Sequence, residues 1–413
     1  MSFQKIDDKL KKALQDVLVT LKSVQFYPNS SVGLRGKLLY LAMLVLALQP
    51  AFAMLENWSD WNFDSRVSAL DNLIYSTGVI CMLIDMYLMP HSTEIFTDII
   101  NSEFTIHRED LKGIWGKNYD EKCRLVNEMT EIGHRVVKMA GSVVKFFSVC
   151  HLIVPIYGLI SYFLKSVPVQ SLPLLFKFYS PFSCSLTATN ISEYVFMSIT
   201  QLLYVYYSAA ILATTIFQMQ MMPMCHIRVE MKLFHFNVKL INVCCRPGCS
   251  SRDGVSSGEH DLRLLLRELV KHHQKIYEKA AKLDEGFKFR LFYSNMYICL
   301  QICLAIFIFL KGELFLKLKF GITLISMLTV ELLFSEDGQK YENEGELLRK
   351  TLYDCEWRDK PKWFTSSLLI LMIRNNQLPK IGLFDVFTLN RNNMTVVIRG
   401  AYSYFNLLNR YSN

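Results

Sequence analysis

Seven stretches of the 413-residue chain are apolar over lengths suited to a bilayer. A helix needs about 20 mostly apolar residues to cross the hydrocarbon core. Residues 38–55 carry no charge, and 67–89 carry only Asp71 near the start and Asp85 near the end. Residues 146–164 are uncharged and contain His151, while 194–225 are uncharged for long enough to cross the bilayer and extend beyond it. Residues 291–310 are clean; 318–334 carry Lys319 and Glu331 near their ends. The last stretch, 392–408, contains Arg399 and is the most polar. The pattern predicts an all-α membrane protein with six clear spans and a polar seventh.

The segments between spans have periodicities of their own. In the tail 1–37, Phe3, Ile6, Leu10, Leu14, Val17 and Leu21 share one helical face opposite lysines. Such a helix suits a membrane surface or the protein's own cytoplasmic side equally well. Residues 218–290 read as two helices joined by a polar Gly/Ser-rich loop at 247–258, and Leu262, Leu265, Leu266, Leu269, Val270 and Ile276 recur at helical spacing in the second. Residues 335–386 hold an uncharged run, 364–373, too short to span. Its stretch 368–373 would be costly to leave in water, so it reads as a buried cytoplasmic helix contributing to a subunit interface. The organisation expected is a tail (1–37), spans one to four (38–217), a cytoplasmic segment (218–290), spans five and six (291–334), a second cytoplasmic segment (335–386) and a final helix (387–413).

Composition adds direction to this pattern. The chain is 51% hydrophobic and 20% charged, with a mean hydropathy of +0.21, which argues against a soluble enzyme. Its 18 Gly, 11 Pro and lack of short repeats exclude collagen, disordered and coiled-coil classes. If the N-terminus is cytoplasmic, the inside segments hold 35 of the 45 Lys and Arg and the outside segments 7. That asymmetry predicts an inside N-terminus and, after seven spans, an outside C-terminus. The net charge of +8 is then mostly topology and needs no nucleic-acid partner. Sequons at Asn57 and Asn190 fall in outside loops and are candidate glycosylation sites; those at Asn29 and Asn393 fall inside. Cys184 alone lies in an outside loop, so no outer disulfide is expected.

Catalytic and metal chemistry find little support. Cys244, Cys245 and Cys249, with His235 and His260, do not match zinc spacing and read as free or acylated thiols. His272 and His273 are adjacent, hence on different helix faces, and read as interfacial or solvated. No phosphate loop, dinucleotide fingerprint, nucleophile elbow or zincin motif occurs. No cofactor, metal or enzyme activity is expected. Asp85 and Glu331 read as functional carboxylates, snorkelling groups or members of local salt bridges. The seventh span is more informative: Val396, Gly400, Ser403, Leu407 and Tyr411 recur along one face that mixes small, polar and apolar groups. Such a helix suits a pore lining or a central position shielded by the other six.

The closing run Arg399-Gly-Ala-Tyr-Ser-Tyr-Phe-Asn-Leu-Leu-Asn409 resembles the C-terminal signature of insect odorant receptors. Phe26-Tyr27-Pro28 before the first span, the aromatic-proline patch 178–182 and the run 266–276 leading into the fifth span resemble other parts of that family. The order and spacing of these motifs follow the family over essentially the whole chain. The resemblance implies an odorant-gated, non-selective cation channel subunit, working as a tetramer with the family's shared coreceptor. It also implies a multi-pass plasma-membrane location in olfactory neuron dendrites. The short second cytoplasmic loop points to the ligand-tuning subunit. By the same resemblance, the four final helices line the pore, with gate positions at Leu407 and Tyr411 and Arg410 near the mouth. The odorant pocket lies in the outer half of the bundle, with Tyr75 and Val79 from span two, His151, Val154 and Gly158 from span three, Met197 and Gln201 from span four, and Thr323 from span six. His151 and Gln201 are the candidate polar partners for a small volatile ligand. The alternatives are a metabotropic seven-helix chemoreceptor, which needs an outside N-terminus, and a gustatory-type channel subunit. A transporter would need broken inverted repeats, which are not apparent.

Overall fold

The bilayer limits how much of a helix must be apolar but not how far it runs on into water, and this chain uses that freedom. The computed structural model describes residues 15, 34–61, 63–87, 91–105, 119–165, 167–244, 255–311, 314–358, 360–377, 380–383 and 387–411. The predicted amphipathic tail, the Phe26-Tyr27-Pro28 motif, the sequon at Asn29, and Cys245 and Cys249 lie outside the described residues. Regular structure among them is helical apart from one small hairpin. The helices are α1 (Leu34–Asn57), α2 (Phe63–Tyr87), α3 (His91–Asn101), α4 (Tyr119–Cys150), α5 (Ile153–Lys165), α6 (Ile191–Val205), α7 (Thr214–Cys244), α8 (Val255–Lys311), α9 (Leu314–Tyr353), α10 (Lys362–Asn375) and α11 (Arg391–Tyr411). A π-helical stretch, Tyr206–Ala213, joins α6 to α7 without a break. Strands β1 (Gly382–Leu383) and β2 (Phe387–Thr388) pair antiparallel just before α11.

Among the described residues, six helical stretches are long and apolar enough to cross a membrane. They correspond to the six clear apolar stretches of the sequence, and α11 is not among them. Helix α8 has 57 residues, or roughly 85 Å at 1.5 Å per residue, far beyond the about 30 Å of hydrocarbon. The sequence reading places a cytoplasmic segment and then a span here, yet one helix crosses that boundary. No proline interrupts 255–311, and the polar half repeats leucines at helical spacing, so nothing ends the helix where the bilayer begins. Helix α9 likewise continues to Tyr353.

Helices α4 and α7 pack together, α8 touches α2, α7, α9 and α11, and α1 leans on α2. One continuous core gathers residues from nearly every helix, including Val79, Phe96, Phe287 and Phe364. The break between α4 and α5 has a local cause. Pro155 has no N–H to offer the carbonyl of His151, so the helix opens at His151–Leu152. Gly338 allows a close approach of another kind: a Cβ there would collide with the Leu389 carbonyl beside the hairpin.

The polar extensions are joined by buried charge. Arg290 on α8 meets Asp85 on α2 at 2.6 Å, both side chains with no exposure. Arg228 on α7 meets Asp337 on α9 at 2.7 Å. Glu230 on α7 contacts His272 at 3.0 Å and Lys279 at 2.8 Å, both on α8. His272 and His273 are therefore not solvated: the first engages Glu230 and the second stacks on Tyr277 at 4.5 Å. Asp85 is half of a salt bridge, whereas Glu331 accepts a hydrogen bond from Ser335 at 3.0 Å.

Helix α10 splits its apolar run between two environments. Phe364, Leu368 and Leu371 are buried within the protomer, while Leu369, Ile370 and Ile373 are exposed. Helix α11 does the same. Val397 and Ala401 pack against Ile298, Ile302 and Cys303 of α8, and Asn393 donates to Asn295 at 2.7 Å. Val396, Tyr402, Tyr404 and Leu407 of the same helix are exposed.

Candidate functional site

A cavity of about 200 Å³ opens between α2, α4, the π-helical stretch, α7, α8 and α9. Its walls are mostly aromatic and aliphatic, among them Phe147, Phe217, Tyr297, Met327 and Phe334. Leu175 and Phe176, from the loop between α5 and α6, close it on one side. The ring of Phe176 packs on Tyr75 at 5.2 Å and on Phe178 at 5.3 Å, so Phe178 of the aromatic-proline patch backs the cavity wall from behind.

The π-helical stretch supplies Ser208, Ala209 and Ala213 to the same wall. Hydroxyls bond back onto the backbone around it, Ser208 to Tyr204 at 2.6 Å and Thr215 to Ile211 at 2.7 Å. Such local back-bonding competes with a regular helix, and π-helical turns recur at functional sites. The hydroxyls of Tyr75 and Ser208 also share a 2.6 Å hydrogen bond across the wall.

Of the residues singled out from the sequence, Tyr75, His151 and Thr323 line this cavity. Val79 and Val154 sit in the main core next to it. Gly158 is where α5 meets Tyr194, whose hydroxyl a Cβ would strike. Met197 belongs to a separate cluster with Leu172 and Tyr194. Gln201 is fully engaged with the closing loop: its carbonyl accepts from Leu175 N at 2.9 Å and Phe176 N at 3.2 Å, and its amide donates to Phe176 O at 2.8 Å. It therefore holds the cavity wall from behind. Of the residues marked on the final helix, Val396, Ser403, Leu407 and Arg410 are exposed and Gly400 is half-buried; the side chain of Tyr411 lies outside the described residues.

Sequence reading missed Asp71, Gln301 and Lys319 as cavity residues. Lys319 Nζ lies 3.7 Å from Asp71 and donates to the Leu175 carbonyl at 3.2 Å. The signal was present: one acid and one base sit near the same end of their spans, and Gln301 interrupts an apolar run. Their pairing depends on which helices meet. No group of three or more His, Cys, Asp or Glu side chains suited to a metal occurs among the described residues.

Beside the loop before α6, Glu193 at the start of that helix gathers Thr189 N and Oγ1 at 2.7 and 2.6 Å, together with the hydroxyls of Ser180 and Ser183. Lys177 lies over Trp61 at 4.1 Å, and burial pulls its ammonium below the usual lysine range. Partial burial, then the neighbouring Glu56 carboxylate, pushes the Tyr179 phenol up. Asn190 is exposed and caps α6 by accepting from Glu193 N at 2.9 Å. Asn57 is half-buried, its amide donating to Ala53 O and Tyr179 Oη at 3.1 Å each. If both loops face outward, Ser192→Ala, which removes the Asn190 sequon and keeps the cap, should abolish a glycan shift on gels. Ser59→Ala should leave the mobility unchanged.

Helices long and apolar enough to cross a membrane, packed around a largely apolar cavity, define the class of a multi-pass membrane protein. A family model described as 7tm odorant receptor matches residues 67–402. The chain belongs to that odorant receptor family. It is 28% identical over 153 residues to odorant receptor 19a and to putative odorant receptor 19b, both of Drosophila melanogaster. Each match covers 36% of this chain and 39% of the relative, so the aligned part spans about two fifths of those curated relatives. The fold is similar to solved structures of the insect olfactory receptor OR5 from Machilis hrabei. The structure in complex with eugenol aligns with a TM-score of 0.74 at 12% identity, over 98% of this chain and 99% of that one. The other OR5 structure aligns at 0.71 and 13%, over 97% and 98%.

Proposed function

We propose that this chain is a ligand-tuning subunit of an odorant-gated, non-selective cation channel, and that the cavity bounded by Tyr75, His151 and Thr323 is its odorant site. The observation that carries the reading is the cavity: apolar walls with a few polar groups, at a size fitting a small volatile molecule. The OR5 complex with eugenol supports small-molecule binding in this fold. Four chains, some of them coreceptor subunits, would surround one pore in the plasma membrane of olfactory neurons. Each would have its N-terminus inside, as the basic residues of its loops favour.

Two surfaces support assembly. The protomer leaves residues of α11 and apolar residues of α10 exposed, and a tetramer would give both a place to pack. The pore would be lined by Val396, Gly400, Ser403 and Leu407, with Tyr411 and Arg410 toward the mouth. Gating follows from differential affinity: a ligand opens the channel only by binding the open arrangement more tightly than the closed one.

Whole-cell recording with the coreceptor co-expressed tests the reading. Leu407→Ala should raise the resting leak or change ion permeability, because the side chain would narrow the pore. Unchanged currents and permeability ratios would remove α11 from the pore. Gln201→Leu should weaken responses to every agonist together, since it loosens the loop closing the cavity; a selective shift in ligand order would instead place Gln201 in contact with ligand.

A further inference from the structure

The cavity runs lengthwise along its helices. Its wall extends from Asp71 to Met82 on α2 and from Lys319 to Phe334 on α9, roughly 16 and 22 Å at 1.5 Å per residue. The two ends differ in how their polar groups are engaged. Around Lys319 they serve one another and the backbone. The ammonium donates to the Leu175 carbonyl, Asp71 stands 3.7 Å from it and hydrogen-bonds with Gln301, and His151 Nδ1 donates to the Phe147 carbonyl at 3.0 Å. The far end is marked by Phe334 and by Phe217 of α7, whose rings lie 5.3 Å apart. Gln220, one helical turn beyond Phe217, is the last α7 residue on the wall. It is 4% exposed, yet neither its amide nitrogen nor its carbonyl oxygen has a hydrogen-bond partner among the described residues. Nor is either atom closed off: the unpartnered polar atoms sealed from open space include the Gln301 carbonyl oxygen but no atom of Gln220. Hydroxyls at this end are committed, Ser148 to the Val144 carbonyl at 2.9 Å, Ser294 to the Arg290 carbonyl and Tyr293 to Asp85 at 3.5 Å.

A buried amide without a partner is costly, and a ligand that fills the cavity excludes water from it. A ligand with a polar group at this end supplies the missing partner; one without leaves both atoms of the amide stranded. From this we infer that Gln220 is a specificity-determining contact that reads where the oxygen sits in the ligand. The preferred ligands are slender volatiles with a carbonyl or hydroxyl at or next to the end of an apolar chain. The oxygen accepts from Gln220 Nε2, and the chain extends along the aromatic walls toward Lys319. An isomer with its oxygen in mid-chain sets that oxygen against apolar wall and strands the amide. The Tyr297 phenol, whose ring lies against Gly78 partway along the wall, offers one hydroxyl where Gln220 offers a donor and an acceptor together. The inference rests on the cavity being the odorant site.

Positional isomers test it, because they share the same atoms and differ only in where the oxygen lies. Binding of 2-octanone, 4-octanone, 1-octanol, 4-octanol and octane is followed by thermal shift on the full chain in lipid nanodiscs. Currents are recorded in cells that also express the coreceptor. 2-Octanone and 1-octanol should act at roughly tenfold lower concentration than 4-octanone and 4-octanol, the effect of leaving one buried polar group unpaired. Gln220→Leu should erase that difference while octane binding stays the same or tightens. The same variant should leave the thermal stability of the ligand-free chain unchanged or raised, whereas loss of a merely structural glutamine would lower it. Equal potency of the isomers on the unaltered chain, or no response to any of them, would overturn the inference. So would a preference that survives both Gln220→Leu and Gln220→Met, or one that Tyr297→Phe removes and Gln220→Leu does not. The unaltered chain decides even if a variant does not fold. The cavity reading is judged apart, by whether Ala213→Phe abolishes responses to a broad odorant panel.

Discussion

Arg290→Met should remove the folded protein from the cell surface. The guanidinium and Asp85 meet at 2.6 Å with neither side chain exposed, and Arg290 also reaches Thr93 at 3.1 Å and lies 4.8 Å over Phe96. Removing the arginine leaves the Asp85 carboxylate buried without its counter-ion. Losing one partner of such a pair costs about 3–5 kcal/mol, a large share of the roughly 5–15 kcal/mol that holds a typical fold together. Surface labelling and detergent-solubilised thermal stability should both fall sharply. The pair itself is worth much less than either charge left alone, so Asp85→Leu combined with Arg290→Met should recover much of the surface signal. A double variant no better than the single one would give Arg290 a role beyond neutralising Asp85.

The second large effect concerns response rather than folding. Ala213→Phe should abolish odorant-evoked current while the protein still reaches the surface. Ala213 lies on the cavity wall at the end of the π-helical stretch, and the cavity holds only about 200 Å³. A phenylalanine ring would take much of that space. Filling an existing void costs less than overpacking a full core, where added bulk costs about 1–3 kcal/mol. Surface expression should therefore be nearly normal, with responses to every agonist reduced at least tenfold. Normal responses to a broad odorant panel would move the ligand site elsewhere.

The sequence was most legible where one short window carries the signal. Long apolar runs, four of them uncharged, marked six spans without reference to any partner. Alternation along 392–411 set α11 apart, with Val397 on the face that packs against α8 and Leu407 on the face left open. Helix ends were harder. Nothing in a window ending at residue 290 shows that α8 runs from Val255 to Lys311 through the membrane boundary, because polar and apolar helices have the same backbone. The pocket was hardest. Tyr75, His151 and Thr323 were singled out and line the cavity, but Gln201, chosen for the same polarity, faces the loop backbone. A glutamine in an apolar helix must find a partner, and its own sequence does not say whether that is a ligand or a loop.

By itself, the order of residues determined the all-helical membrane class, the six clear spans, the amphipathic last helix and the predominance of basic residues in alternate loops. These follow from transfer energies and helical period, which act residue by residue. Only the tertiary structure decided which charges meet. Asp71 with Lys319, Asp85 with Arg290 and Glu230 with His272 and Lys279 join positions far apart in the chain. The same holds for the cavity, whose polar pole exists because α2, α8 and α9 converge beside the break that Pro155 imposes on the third span. Hydrophobicity is a property of each residue, whereas a site is a property of distances between residues.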